Sequence, residues 1–184
     1  ICTIHEIDEA NGETFIVMEL IEGSTLREWI RARRDQHDGY RKLGEKQIVD
    51  LAVQIAEGLG KAHEKGIVHR ELGGVSKLTK TGSTVGTISY MSPEQVEGIE
   101  TDHRTDIFSF GVVLYEMLTG QLPFRAEHET AMMYEIINVE PKPVSEIRQH
   151  ADTELNRIVL KCLEKDRAVR YQTMKDVAVD LHRF

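Results

Sequence analysis

Only two cysteines occur in the chain, Cys2 and Cys162, far apart and without metal-ligand spacing. That scarcity argues against a disulfide framework and a zinc site, and it fits a reducing cytoplasm. Long hydrophobic runs are also missing. The most apolar stretch, Asp106 to Leu118, is interrupted by Ser109, Tyr115 and Glu116, and it is shorter than the roughly 20 residues that cross a bilayer. No membrane span is expected within this segment, and no secretory signal pattern opens the chain. Excess positive charge is absent: the formal net charge is −8 with histidine neutral, so a phosphate backbone would be repelled and nucleic acid is not an expected partner. The one basic cluster, Arg27 to Arg34, is interleaved with apolar residues in the manner of a solvated helix face. The eight histidines form no metal constellation, with His5, His37, His63 and His69 in different elements. No metal ligand is assigned.

What is present suffices for one core: 184 residues, 40% of them hydrophobic and 29% charged. The alternating Ile1 to Ile7, the turn signal Asn11-Gly12 and the β-branched run Thr14 to Leu20 read as a β-hairpin. Two strands alone are marginal in water, so the hairpin needs a partner. Ser24 offers an N-cap for a helix to about Arg34, and a polar loop follows to Gly44. From Glu45 to Lys65 apolar residues recur three and four apart, a long amphipathic helix that Gly66 ends. Residues 70–92 read as an extended loop. A buried helix is expected over about 105–118, punctuated by Gly120 and Pro123, and shorter helices over 127–138, 152–163 and 173–183. The expected fold class is mainly α with a small N-terminal β-hairpin.

Six segments then stand in a telling order. They are Phe15-Ile-Val-Met-Glu-Leu-Ile-Glu-Gly23, Ile67-Val-His-Arg-Glu71, Gly86-Thr-Ile-Ser-Tyr-Met-Ser-Pro-Glu-Gln95, Asp106-Ile-Phe-Ser-Phe-Gly111, and Leu122-Pro-Phe124 with Asp166-Arg-Ala-Val-Arg170. In this order the chain resembles the C-terminal lobe of a bacterial-type (Hanks-type) serine/threonine protein kinase. The segments are similar to the fifth strand and hinge, the start of the catalytic loop, the end of the activation segment, the central buried helix and the lower helices of that family. The resemblance implies a truncated form of the family's α+β fold. It would be one partial kinase domain over residues 1–184, with the last N-lobe strands and hinge in 1–23 and a helical C-lobe in 24–184.

It also implies roles. Glu94 would pair with Arg170 and fasten the activation segment to the lower helices. Asp106 would accept hydrogen bonds from the backbone around His69 and Arg70, with His69 packed under the catalytic loop. Met18 would be the gatekeeper, and Glu19 and Ile21 would face the adenine of ATP. Glu71 stands at the position of the catalytic aspartate, and Thr87 resembles the threonine that supports it. Thr79, Thr81, Ser83 and Thr84 lie where kinases are switched by phosphorylation, with Arg70 as the implied phosphate partner. ATP, magnesium and a protein substrate or partner are the family's companions. Oligomeric state is left open.

Against this stands what the family has and this sequence does not. Kinases continue from His-Arg-Asp through a metal-binding asparagine to Asp-Phe-Gly. Here His69-Arg70-Glu71 runs directly into Leu72-Gly-Gly-Val-Ser-Lys-Leu78, no asparagine lies between Asn11 and Asn138, and Asp-Phe-Gly is absent. A carboxylate persists at Glu71, one methylene longer. The glycine-rich loop, the strand lysine and its glutamate partner belong upstream of Ile1. Three readings stay open: a serine/threonine kinase-related domain inactive in this form, a pseudokinase-like interaction module around the helix near Met132, Met133 and Tyr134, and a remnant without function.

Overall fold

The computed structural model describes residues 4–10, 13–18, 22–23, 26, 28, 44–70, 88–148 and 151–184, with the two strands described by their backbone. Strand β1 (Ile4–Ala10) pairs antiparallel with β2 (Glu13–Met18), in a register running from Ile4 opposite Met18 to Ala10 opposite Glu13. One irregularity falls between Ile4 and Glu6. Leu26 and Glu28 are helical; the rest of the expected helix over 24–34 lies outside the described residues, as does the basic cluster.

Helix α1 (Glu45–Glu64) buries Ile48, Val49, Ala52, Val53, Ala56, Leu59 and Ala62 along one stripe. The Gln47 side chain accepts from the Gly44 N–H at its start, and Gly66, at φ +73°, lets the chain turn after its end. A short helix α2 (Pro93–Val96) follows, capped by Ser92 and with proline in its first turn, where a missing N–H costs nothing. Helix α3 (Arg104–Thr119) is buried without a break from Thr105 to Tyr115. It ends at Gly120, which is left-handed at φ +71° and donates its N–H to the Glu116 carbonyl. Helices α4 (Glu129–Asn138), α5 (Val144–Ile147), α6 (Thr153–Cys162) and α7 (Met174–Arg183) complete the body. The α6 and α7 N-termini are capped by the side chains of Asp152 and Thr173.

Helix α3 is the axis of this arrangement, packed against α1 on one side and α6 on another, while α7 lies along α1. Its contact with α6 is made at Gly111, where a Cβ would stand 2.7 Å from Cys162 Cβ and 3.1 Å from Leu163 Cδ2. Only glycine permits that approach. Phe108 from α3 stacks parallel to Phe124 at 6.0 Å between centroids, and the Lys165 ammonium sits 3.7 Å above the Phe124 ring. Lys165 also donates to the Ile136 carbonyl at 2.6 Å, near the C-terminal end of α4 where a cation is favoured.

Three expectations are corrected here. The hairpin is formed, but an α+β class is not what the described residues build. Their two strands make a two-stranded sheet of their own. The described core is drawn from helices and the turns between them, so the body is helical. The physical reason is that a lone two-stranded ribbon is too small to form a layer of a domain. Met132, expected on a docking surface, is 2% exposed and belongs to the core; Tyr134, two residues on, is 63% exposed. Of the stretch read as an extended loop over 70–92, only Arg70 and residues 88–92 are described, and a helical residue at Ile88 with a turn at 89–90 interrupts it there.

Candidate functional site

The site is built around one buried carboxylate. Asp106 stands in the first turn of α3, fully buried, where the positive end of the helix dipole favours an anion. Its Oδ1 accepts the Arg70 N–H at 2.7 Å, and its Oδ2 accepts the His69 N–H at 2.7 Å. The Oδ2 also takes a 2.8 Å hydrogen bond from His63 Nε2, near the C-terminal end of α1. Three donors from two segments thus converge on a single side chain. His63 Nδ1, buried on the far side of the ring, has no partner among the described residues, and the ring meets His103 edge-on at 5.5 Å.

Arg70 has φ +63°, among the described residues the only left-handed one that is not glycine. Such a conformation is unfavourable for a residue with a Cβ and persists where its surroundings dictate it. Here they do so from both sides. Asp106 holds the Arg70 N–H, and Gln95 Nε2 donates to the Arg70 carbonyl at 2.8 Å. His69 was expected to pack beneath this loop, but it is exposed. It is the backbone of His69, not its ring, that Asp106 grips.

The second half of the site ties residues 92–95 to the lower helices. Arg170, 1% exposed, donates from both terminal nitrogens to Glu94, at 2.8 and 3.2 Å. The same guanidinium donates to the carbonyls of Glu164, Lys165 and Arg104 and lies 5.0 Å over the Phe108 ring. Thr105 adds a donor to Glu94 Oε1 at 2.9 Å. Burial would raise the Glu94 pKa, but the Arg170 hydrogen bonds and charge outweigh it and hold the carboxyl below its usual value. Thr105 and Asp106 are adjacent in α3, so one turn of helix links the ion pair to the grip on His69 and Arg70.

The structure thus brings together His69, Arg70, Glu94, Asp106 and Arg170. Glu71, Thr87, Glu19, Ile21, Thr79, Thr81, Ser83 and Thr84 lie outside the described residues. Met18 ends β2, with only its backbone described. Sequence reasoning missed His63, Gln95 and Thr105. A signal existed for Gln95: Ser92-x-x-Gln95 is a capping-box pattern, and it is formed, with Gln95 N–H donating to Ser92 Oγ and Ser92 N–H to Gln95 Oε1.

Residues 72–180 match the family model described as protein kinase domain, and residues 1–76 match that described as protein tyrosine and serine/threonine kinase. The chain belongs to the protein kinase family. Bacterial kinases are among its relatives. The chain is 33% identical over 204 positions to a probable serine/threonine-protein kinase of Clostridium acetobutylicum, covering 98% of this chain and 30% of that protein. It is 31% identical over 206 positions to a probable serine/threonine-protein kinase of Clostridium perfringens, covering 100% and 29%. Serine/threonine-protein kinase PknB of Mycolicibacterium smegmatis is 32% identical over 206 positions, covering 97% and 32%. The chain therefore spans about a third of the length of these kinases. The aligned spans, 204 and 206 positions, exceed the 184 residues available, so each of these kinases carries positions without a counterpart here.

The kinase family typically uses ATP and magnesium. Among the described residues, no three histidine, cysteine, aspartate or glutamate side chains are grouped to hold a metal ion. The buried carboxylate beside His69 and Arg70, Asp106, already accepts three hydrogen bonds. With no Asp-Phe-Gly anywhere and no asparagine between Arg70 and Asn138, the donor set does not fit the family's magnesium site. Among the described residues, no helix is long and apolar enough to cross a membrane.

Proposed function

We propose that this chain is a serine/threonine kinase-related domain that keeps the family's structural frame and does not transfer phosphate. The observation that carries this reading is the junction at His69-Arg70-Glu71-Leu72-Gly73-Gly74, where the metal-binding asparagine and Asp-Phe-Gly should follow and do not. Phosphoryl transfer depends on offsetting charge on the phosphates. A longer carboxylate at Glu71, misplaced by about 1 Å, would by itself cost on the order of a hundredfold in rate. The division into hinge-side residues 1–23 and a helical lobe 24–184 is part of the same proposal. So are weak adenine contacts at Glu19 and Ile21 below Met18, a supporting role for Thr87, and phosphate acceptance by Thr79, Thr81, Ser83 or Thr84.

A second reading, a pseudokinase-like module that binds a protein, is favoured by one observation: Glu94, Arg170 and Asp106 keep all their partners although the chemistry they would frame is gone. Thermal unfolding of the purified chain with ATP, with and without magnesium, tests both. The expected outcome is a cooperative melt indifferent to magnesium, with no phosphate moved to a protein substrate. Magnesium-dependent transfer that Glu71→Ala abolishes would overturn the inactive reading. A saturable shift with ATP alone would leave a nucleotide-binding pseudokinase.

A further inference from the structure

We propose that Gln95 is a positioning residue that sets the direction of the Arg70 carbonyl. This role does not depend on whether the chain binds nucleotide. Arg70 is held left-handed at φ +63°. Asp106 fixes its N–H, but that leaves the following peptide free to rotate about the Arg70 Cα–C bond. The carbonyl of that peptide receives the Gln95 amide at 2.8 Å. Gln95 is itself oriented, because its Oε1 accepts the Ser92 N–H at 3.0 Å, and that acceptor bond turns the amide nitrogen outward toward Arg70. One side chain therefore does two jobs, with its oxygen closing the cap of α2 and its nitrogen reaching across to a residue 25 positions earlier.

Both jobs use the same rigid amide, so the direction of the Arg70 carbonyl is referenced to α2, and through Glu94 to Arg170. The bond to Arg70 is accessible to solvent, so its contribution lies in direction more than in global stability.

The two jobs separate by substitution. Gln95→Glu keeps the oxygen that caps α2, suits a helix N-terminus, and replaces the donor facing the Arg70 carbonyl by an acceptor. Ser92→Ala weakens the cap and leaves the Gln95 amide. Backbone amide exchange of the full chain, read residue by residue by NMR, is the measurement. In Gln95→Glu, exchange at His69 and Arg70 is expected to quicken by roughly two- to tenfold, with the Arg70 amide resonance displaced and α3 unchanged. In Ser92→Ala, the melting temperature falls and those two amides keep their wild-type rates. The proposal is overturned if the His69 and Arg70 amides of Gln95→Glu stay within about twofold of wild type. Equal acceleration in Ser92→Ala, or acceleration spread over α3, overturns it as well.

Discussion

Glu94 and Arg170 show how a single residue pair can govern a lobe. Arg170 is fully surrounded, and its donors go to one carboxylate and three backbone carbonyls. Removing the Glu94 charge would leave a guanidinium buried without its counter-ion, a defect that costs about 3–5 kcal/mol. Glu94→Gln is therefore expected to lower unfolding free energy by about that amount in a denaturant titration. The same pair predicts a pH dependence. The folded pKa of Glu94 lies below the unfolded value near 4.5, so the unfolded chain takes up the proton first. Its stabilisation is whole above that pH and is lost as pH falls through the folded pKa. Asp102, drawn down to about 2 by the Arg104 hydrogen bonds, acts with the same sign between 3.8 and that value. In Glu94→Gln the acid limb of stability against pH should be shallower than in wild type, with the Asp102 part remaining. An unchanged acid slope would mean that the ion pair is not coupled to folding.

Among the elements, α3 is the one whose packing leaves no slack. Gly111→Ala would put a methyl 2.7 Å from Cys162 Cβ, and neither of the two helix backbones can yield easily at their closest approach. Overpacking of this kind costs about 1–3 kcal/mol, to be checked as a lowered denaturant midpoint. Gly111→Ala combined with Cys162→Gly, which vacates the space, should recover part of the loss. The elements also show what was legible beforehand. The stripe of α1, the continuous burial of α3 and the ends at Gly66 and Gly120 follow from spacing and from glycine's left-handed freedom, and each was readable. The hairpin was readable from Asn11-Gly12, but its smallness as a layer was not, because an isolated ribbon and an edge of a larger sheet share one pattern. Within the site, Glu94, Asp106 and Arg170 were marked by motif. His63 and Gln95 were not, because each acts through a contact between segments 43 and 25 residues apart, and no local period records such distances. Met132 was misjudged because Met132, Met133 and Tyr134 are consecutive, and a helix turns about 100° between each.

At the scale of the whole molecule, the described body has one core and one centre. The buried cluster runs from Ile48 in α1 through α3 to Leu155 and Ile158 in α6 and Leu181 in α7 without a division. Domains with a single continuous core unfold as a unit, and their most protected amides open only when everything opens. Helix α3 is buried along most of its length and packs against both α1 and α6, so its amides are expected to exchange at the rate set by global unfolding, matching the free energy from a denaturant titration. The C-terminal half of α4 should exchange faster, since Tyr134 is largely exposed and only Met132 and Ile136 of that helix are buried. The grip of Asp106 on His69 and Arg70 makes a further demand. If this stretch of backbone is fastened to the centre of the core, those two amides should be protected well beyond what exposed residues normally show, despite lying next to solvent. Rapid exchange at His69 and Arg70 beside a slow α3 would mean that the frame and the loop it frames are separate units. A kinase-type lobe divided in that way could not present the loop in a fixed geometry to any ligand.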